Sequence, residues 1–104
     1  MIIVTTETVQ DKEIVEVKGL VQGSTVRAKH LGRDIMAGLK NLVGGELAGY
    51  TELLNEARQQ ATFRMIHEAQ QRGANAIVCA RFSTNPVAQN ASEVFCYGTA
   101  VVVR

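Results

Sequence analysis

The chain has 104 residues, of which 46% are hydrophobic, and its charges nearly cancel, with 11 Lys and Arg against 10 Asp and Glu. This length fits a single domain, residues 1–104, and the apolar content supplies a core without metals or cross-links. The near-neutral charge argues against nucleic acid as a partner, because binding to phosphates normally requires a basic excess.

The N-terminus and the two cysteines bear on the compartment. Residues 1–7 show no basic region followed by an apolar stretch, so we expect no signal peptide. No apolar run approaches the ~20 residues that a membrane-spanning helix needs. Two cysteines without an export signal fit reduced thiols, and we therefore expect a cytoplasmic protein with no membrane partner.

The first two predicted elements are strands. A β-branched run from Ile2 to Thr5 predicts a short strand, and a turn near residues 10–12 follows it. A second strand is predicted from Ile14 to about Arg27, with a bulge or bend at Gly19 or Gly23 that changes the buried parity. Before that change the buried parity is expected to contain Val15, Val17 and Val21.

Two helices are predicted next. An apolar stripe at helical spacing predicts the first from His30 to Val43, and Gly44-Gly45 ends it. The second covers about Tyr50 to Arg72. Small residues at the centre of its apolar stripe predict close packing on a sheet: Ala57 and Ala61.

The last two predicted strands are residues 76–82 and 94–103, paired as an antiparallel hairpin. The predicted order is therefore β-β-α-α-β-β, an α+β fold with an antiparallel sheet and both helices packed on one face. Both faces of the hairpin are apolar, although an antiparallel sheet with one wet face should alternate with polar residues. Since one chain is not expected to cover both faces, we predict a homo-oligomer.

The long helix supports the same expectation. Phe63 and Ile66 project away from its main apolar stripe, into a face otherwise made of polar residues. Isolated apolar residues are common on protein surfaces, which is the alternative interpretation. Two bulky ones a turn apart form a usable patch, so we favour an oligomer interface.

Two thiols raise the question of metal binding. If the hairpin is symmetric about Val87-Ala88, Cys79 and Cys96 lie opposite each other and could bind a soft metal ion or form a disulfide. A shift of one residue in register would separate them. The alternative is that each is a small buried hydrophobic residue, and two thiols fall short of the four ligands of a structural zinc site.

Enzyme motifs are incomplete. His67-Glu68 begins like the zinc motif His-Glu-x-x-His, but residue 71 is Gln. The glycine-rich residues 44–49 lack the Lys-Ser/Thr ending of a phosphate-binding loop. An enzyme of unknown class stays a third alternative, and we assign no catalytic residue and expect no cofactor.

Several short motifs occur in order along the chain. They are Glu13-Ile14-Val15-Glu16, Gly19-Leu20-Val21-Gln22-Gly23, Arg33-Asp34, Gly44-Gly45, Tyr50, Ala57-Arg58, Gly73-Ala74-Asn75-Ala76 and Gly98-Thr99-Ala100-Val101. On this set the sequence resembles the YbjQ-like family, also called the "putative heavy-metal-binding" domain, from about Ile2 to Val103. The resemblance implies a dodecin-like subunit in a pentameric ring, and it implies no particular activity or substrate.

Two positions depart from the family pattern. Glu46 stands where members usually carry arginine, and Cys79 stands where they carry glycine or another small residue. Cys79 and Cys96 therefore inherit no role from the resemblance.

The expected function is a cytoplasmic homo-oligomeric binding or scaffold module for a small ligand that the sequence does not identify. The candidate ligand-binding residues match family positions around the loop between the helices: Arg33, Asp34, Tyr50 and Arg58. The alternative is a soft heavy-metal binder that uses Cys79 and Cys96.

Overall fold

The computed structural model describes residues 1–28, 48–88 and 91–104. Its elements in chain order are β1 (Ile2–Ile3), β2 (Ile14–Ala28), α1 (Ala48–Gln71), β3 (Ala76–Ala88) and β4 (Ala91–Val103). The α+β class is confirmed. The predicted helix from His30 to Val43 lies outside the described residues. The described elements follow the order β-β-α-β-β.

The four strands form one mixed sheet in the order β1-β3-β4-β2. Strands β2, β4 and β3 are antiparallel neighbours, but β1 runs parallel to β3, with Ile2 beside Ala76. The entirely antiparallel sheet predicted above is therefore wrong. The N-terminal segment lies along β3, where the Val4 amide donates to the Ile77 carbonyl over 2.9 Å and the Ala80 amide donates to the Val4 carbonyl over 3.0 Å.

This N-terminal segment covers one end of the sheet face turned away from α1, which we call the outer face. A buried cluster lies there, formed by Ala76, Val78, Val101 and Val103, and the residues packed against it are Ile2, Val4, Val9 and Ile14. Burial of these side chains explains why β1 pairs with β3 rather than folding back on β2. One chain therefore covers part of the outer face as well as the face beneath α1, and the rest of the outer face stays exposed.

Bulges in β2 change which of its valines are buried. The pairing with β4 shifts between Val17 and Gly19, and Gly19 has a φ of 104°. Val21 is fully buried beneath α1, whereas Val17 is 64% exposed. The bulge predicted at Gly19 is confirmed. The predicted burial of Val15 and Val17 is wrong, because residues with the parity of Val21 are buried only after the bulge and these two valines precede it.

Helix α1 packs against β2 and β4 through small residues. Ala57, Ala61 and Met65 are fully buried in this contact, which confirms the predicted close packing. A Cβ atom added to Gly23 would lie 2.6 Å from the Met65 backbone nitrogen and closer still to the Ala61 carbonyl oxygen. Gly23 therefore permits close approach of the helix and does not mark a bend in β2.

The end of α1 uses a glycine, as predicted. Gly73 has a φ of 77°, and its amide donates to the Gln70 carbonyl over 3.0 Å. The Ala74 amide then donates to the Ala69 carbonyl over 3.1 Å, so the last turn is capped and the chain enters β3. In the part of the chain that the structure describes, no helix has the length and apolar character needed to cross a membrane.

Candidate functional site

The β3–β4 hairpin separates the two thiols. Ala88 pairs with Ala91 and Phe82 with Cys96, and the register shifts between Val78 and Arg81. Cys79 lies within this bulge and has a φ of 54°. The hairpin is therefore not symmetric about residues 87–88, and Cys79 and Cys96 do not sit opposite each other as predicted.

The surroundings of Cys96 disfavour its thiolate. The residue is fully buried in the cluster between α1 and the sheet. Burial raises the pKa of the Cys96 thiol above its ordinary value of 9.0, while a backbone hydrogen bond at Gly23 acts in the opposite direction. Because metals bind the thiolate, this position is a poor ligand for a metal ion within one subunit.

The bulge at Cys79 anchors the N-terminal segment. The Cys79 amide donates to the Thr6 carbonyl over 3.0 Å, and the Arg81 guanidinium donates to the Thr5 carbonyl over 2.9 Å. The Cys79 side chain is partly exposed. Within residues 1–28, 48–88 and 91–104, no group of three or more His, Cys, Asp or Glu side chains is placed to hold a metal ion.

The predicted ligand-binding residues lie in different parts of the chain. Arg33 and Asp34 are outside the described residues, and Tyr50 lies in the first turn of α1. Arg58 is exposed on α1, where its guanidinium donates to the Asn55 side-chain oxygen. The grouping of these four residues at one site stays a prediction.

One side of α1 forms a shallow apolar depression that is open to solvent, which we call the helix flank. Its volume is about 400 Å³, and it is lined by Arg58, Gln59, Thr62, Phe63 and Ile66. Phe63 is 69% exposed, as the sequence predicts. Ile66 is half-buried and packs against the cluster beneath α1, so it belongs to both the core and the helix flank.

A second apolar surface lies on the outer face, beyond the reach of the N-terminal segment. We call it the outer patch, and it contains Leu20, Val26, Phe95 and Tyr97. These residues alternate with the buried residues of β2 and β4, which places their side chains away from α1. The Phe95 and Tyr97 rings stack with centroids 5.5 Å apart, and Leu20 is 60% exposed.

The outer edge of β2 is capped by side chains of α1. The Arg72 guanidinium donates to the Leu20 carbonyl over 2.8 Å, and the Arg64 guanidinium donates to the Ser24 carbonyl. The Gln22 amide between them donates to the Glu68 carboxylate over 3.4 Å. Capped backbone groups cannot pair with another strand, so this edge is protected against sheet extension.

The opposite edge of the sheet is protected by other means. The N-terminal segment covers β3 as far as Ala80, as described above. Farther along, β3 contains Pro86. Proline has no amide hydrogen to donate, so a strand added here would lose a ladder hydrogen bond.

Sequence reasoning missed a polar cluster between α1 and β2. The Gln60 side-chain oxygen accepts a hydrogen bond of 2.9 Å from the Thr25 hydroxyl and one of 2.8 Å from the Arg27 guanidinium. Thr25 and Arg27 continue the buried parity of Val21 and Gly23, which is the signal that could have located the cluster. The hydrogen bonds to Gln60 help to fix the position of α1 on the sheet, although the Arg27 Nε atom is buried without a hydrogen-bond partner among the described residues.

Comparison with known proteins identifies one matching family model and several close relatives. The YbjQ family model, described as "Putative heavy-metal-binding", matches residues 1–104. A UPF0145 protein of Dehalococcoides mccartyi is 57% identical over 104 residues, and one of Hahella chejuensis is 61% identical over 104 residues, each match covering 100% of both chains. A UPF0145 protein of Archaeoglobus fulgidus is 55% identical over 100% of this chain and 96% of its own.

A solved structure has the same fold. The crystal structure of a protein of unknown function from the DUF74 family of Pediococcus pentosaceus has a TM-score of 0.62 and 18% sequence identity, covering 100% of this chain and 98% of that one. At this identity the similarity shows the fold alone.

Proposed function

The chain belongs to the YbjQ-like family, and on that basis we propose that it works as a homo-oligomeric binding or scaffold module, pentameric as the family resemblance implies. The observation that carries the proposal is the pair of exposed apolar surfaces, the helix flank and the outer patch. Phe63 is 69% exposed and Leu20 is 60% exposed in the single chain. Contiguous surfaces of this kind on a small domain indicate contacts with another protein.

The energetics permit association through these surfaces. Fully burying one large apolar side chain contributes about 1.5–3 kcal/mol. Association itself costs roughly 4–15 kcal/mol in lost freedom of motion. Phe63, Leu20, Val26 and Tyr97 are each more than a third exposed, so several of them buried in one contact offset the lower part of that range.

The position of Arg58 supports a ligand site beside the subunit contact. This residue lines the helix flank and is also one of the four candidate ligand-binding residues, together with Arg33, Asp34 and Tyr50. A ligand bound near Arg58 would therefore adjoin the contact between subunits. Native mass spectrometry of the purified oligomer, before and after addition of a small-molecule library, identifies any ligand that it retains.

Light scattering across a dilution series tests assembly. The unmutated protein is expected to keep a mass of several times 11.3 kDa at micromolar concentration. Phe63→Glu is expected to lower that mass, because a carboxylate in an apolar contact loses its hydration. Val87→Glu is the matched control, since Val87 is 52% exposed and belongs to neither apolar surface. A monomeric unmutated protein would refute the proposal.

The family description favours a second candidate function, binding of a soft metal ion by thiols pooled from several subunits. The register of the hairpin does not bring Cys79 and Cys96 together within one chain, and Cys96 is fully buried, so this function would need the partly exposed Cys79 of several subunits. Elemental analysis of purified protein distinguishes the two candidates. We expect far less than one zinc or copper per chain, and assembly that survives Cys79→Ser with Cys96→Ser. Stoichiometric metal that is lost in this double variant would reverse the order of the candidates.

A further inference from the structure

Three polar side chains on the side of α1 next to β2 lie one helical turn apart. We call them the polar row: Arg64, Glu68 and Arg72. They contact alternate residues of β2 in reverse chain order: Ser24, Gln22 and Leu20. Four helical residues advance the chain by about 6 Å, and two strand residues advance it by about 6.6–6.8 Å. The polar row therefore keeps step with the edge of β2 from one contact to the next.

The polar row also matches the hydrogen-bonding groups at this edge. Its arginines lie at carbonyl groups, and the Arg72 guanidinium donates to the Leu20 carbonyl over 2.8 Å. Its glutamate lies at an amide group, where Gln22 donates to the Glu68 carboxylate over 3.4 Å. A strand added to β2 would pair with these same outward-facing groups. The polar row therefore takes part of the place of a neighbouring strand.

The bulge of β2 brings the backbone against the end of the polar row. The Arg72 guanidinium contacts the Lys18 carbonyl over 3.4 Å as well as the Leu20 carbonyl. A Cβ atom added to Gly19 would lie 3.4 Å from the Arg72 Nη1 atom, so a larger residue here would crowd the guanidinium. The Glu68 carboxylate also forms an ion pair of 3.0 Å with Arg72. Two members of the polar row thus hold each other in place against the strand.

We propose that the polar row is an edge guard, whose role is to keep β2 from pairing with strands of other molecules rather than to stabilise the subunit. The Arg72 and Glu68 side chains are 42% and 33% exposed, and exposed ion pairs contribute little to stability. An unguarded edge is a template for aggregation. Leu20 and Val26 are more than half exposed on the same strand, so apolar contacts would reinforce such pairing. This role does not depend on how copies of the chain meet through their faces.

A variant without the polar row tests the proposal: Arg64→Ala, Glu68→Ala and Arg72→Ala. Alanine is a strong helix former, so α1 is expected to persist with the circular dichroism of the parent. The matched control loses the same charges at exposed positions: Lys12→Ala, Glu56→Ala and Arg104→Ala. In the described part of the chain these three side chains make no hydrogen bond to β2. The row variant is expected to gain thioflavin T fluorescence and mass by light scattering, while the control matches the parent.

Hydrogen exchange locates the pairing within the associated row variant. The Leu20 and Ser24 amides share the outward direction of their carbonyl groups, which accept from the polar row. These two amides are expected to exchange roughly tenfold more slowly in the associated variant than in the parent, because an added strand would accept a hydrogen bond from each. Association through the faces of the sheet would leave their exchange unchanged.

Each outcome decides the proposal. A folded row variant that keeps the mass and fluorescence of the parent overturns it. Equal association of the control also overturns it, because loss of charge alone would then suffice. Association without slower exchange at Leu20 and Ser24 shows that another surface is responsible, which overturns it too. If circular dichroism shows the row variant to be unfolded, Arg72→Ala alone decides, and no gain of fluorescence in that variant overturns the edge guard.

Discussion

Replacing Gly23 with alanine is expected to destabilise the protein by about 3 kcal/mol. The added Cβ would lie 2.6 Å from the Met65 backbone nitrogen, whereas ordinary contact begins at 3.4 Å. Because the Ala61 carbonyl oxygen would lie closer still, the helix must move away from β2 by more than 0.8 Å, the difference between these two distances. A gap of ~0.5–1 Å removes about a quarter to a half of the attraction between facing atoms, and Ala57, Ala61 and Met65 all contact the sheet across it.

Urea unfolding followed by circular dichroism, at one fixed protein concentration, measures this effect. Gly73→Ala is the control, because nothing lies within 4 Å of its added Cβ and the substitution is strained only by the φ of 77°, a cost of about 1–2 kcal/mol. Adding Ala61→Gly to Gly23→Ala is expected to give no rescue, since the obstacles are backbone atoms. A Gly23→Ala protein within about 0.5 kcal/mol of the parent would refute the close docking of α1.

Three further outcomes are expected. Cys79→Gly should stabilise the protein by about 1 kcal/mol, because a φ of 54° strains any residue with a side chain. Asp11→Gly, at a φ of 63°, should stabilise it less, since aspartate tolerates that region better. The midpoints of urea unfolding test both. Burial raises the pKa of Cys96 above 9.0, so its contribution to stability is full below pH 9.0 and is lost as the pH rises toward the folded-state pKa. Unfolding measured on both sides of pH 9.0 should show this fall in stability, and Cys96→Ala should abolish it. Asn75→Ala should cost about 1–3 kcal/mol, because the Asn75 amide group exchanges hydrogen bonds of 2.9 and 2.8 Å with the Val103 backbone; thermal unfolding checks the loss, and an unchanged midpoint contradicts it.

Local sequence patterns predicted the elements that depend on local interactions. The spacing of Ala57, Ala61 and Met65 identified the buried side of α1, because a helical period of 3.6 residues is set by its own hydrogen bonds. The strand alternation located β2 and β4 for the same kind of reason. The exposure of Phe63 also followed from helical spacing, whereas the half-burial of Ile66 depends on how far the cluster beneath α1 extends to that side.

Non-local contacts set the features that the sequence patterns did not predict. Strand β1 pairs with β3 because Ile2 and Val4 are buried there, and nothing in residues 1–13 identifies that partner. The hairpin pairs Ala88 with Ala91 and Phe82 with Cys96, so the expected pairing of Cys79 with Cys96 was already wrong on the turn side of the bulge. The bulge at Cys79 then shifts the remaining pairs without a glycine to signal it. A bulge adds one residue to one strand and thereby moves every pair beyond it.

The protected edges also bear on how specificity is encoded in this fold. Association by edge strands would be made mostly by backbone hydrogen bonds, which any sequence can supply. Association by faces is made by side chains, so exposed residues such as Phe63 and Tyr97 would determine which copies bind and at what angle. We therefore expect relatives that keep the glycine at position 23, but differ at positions 63 and 97, to share the subunit fold and differ in assembly.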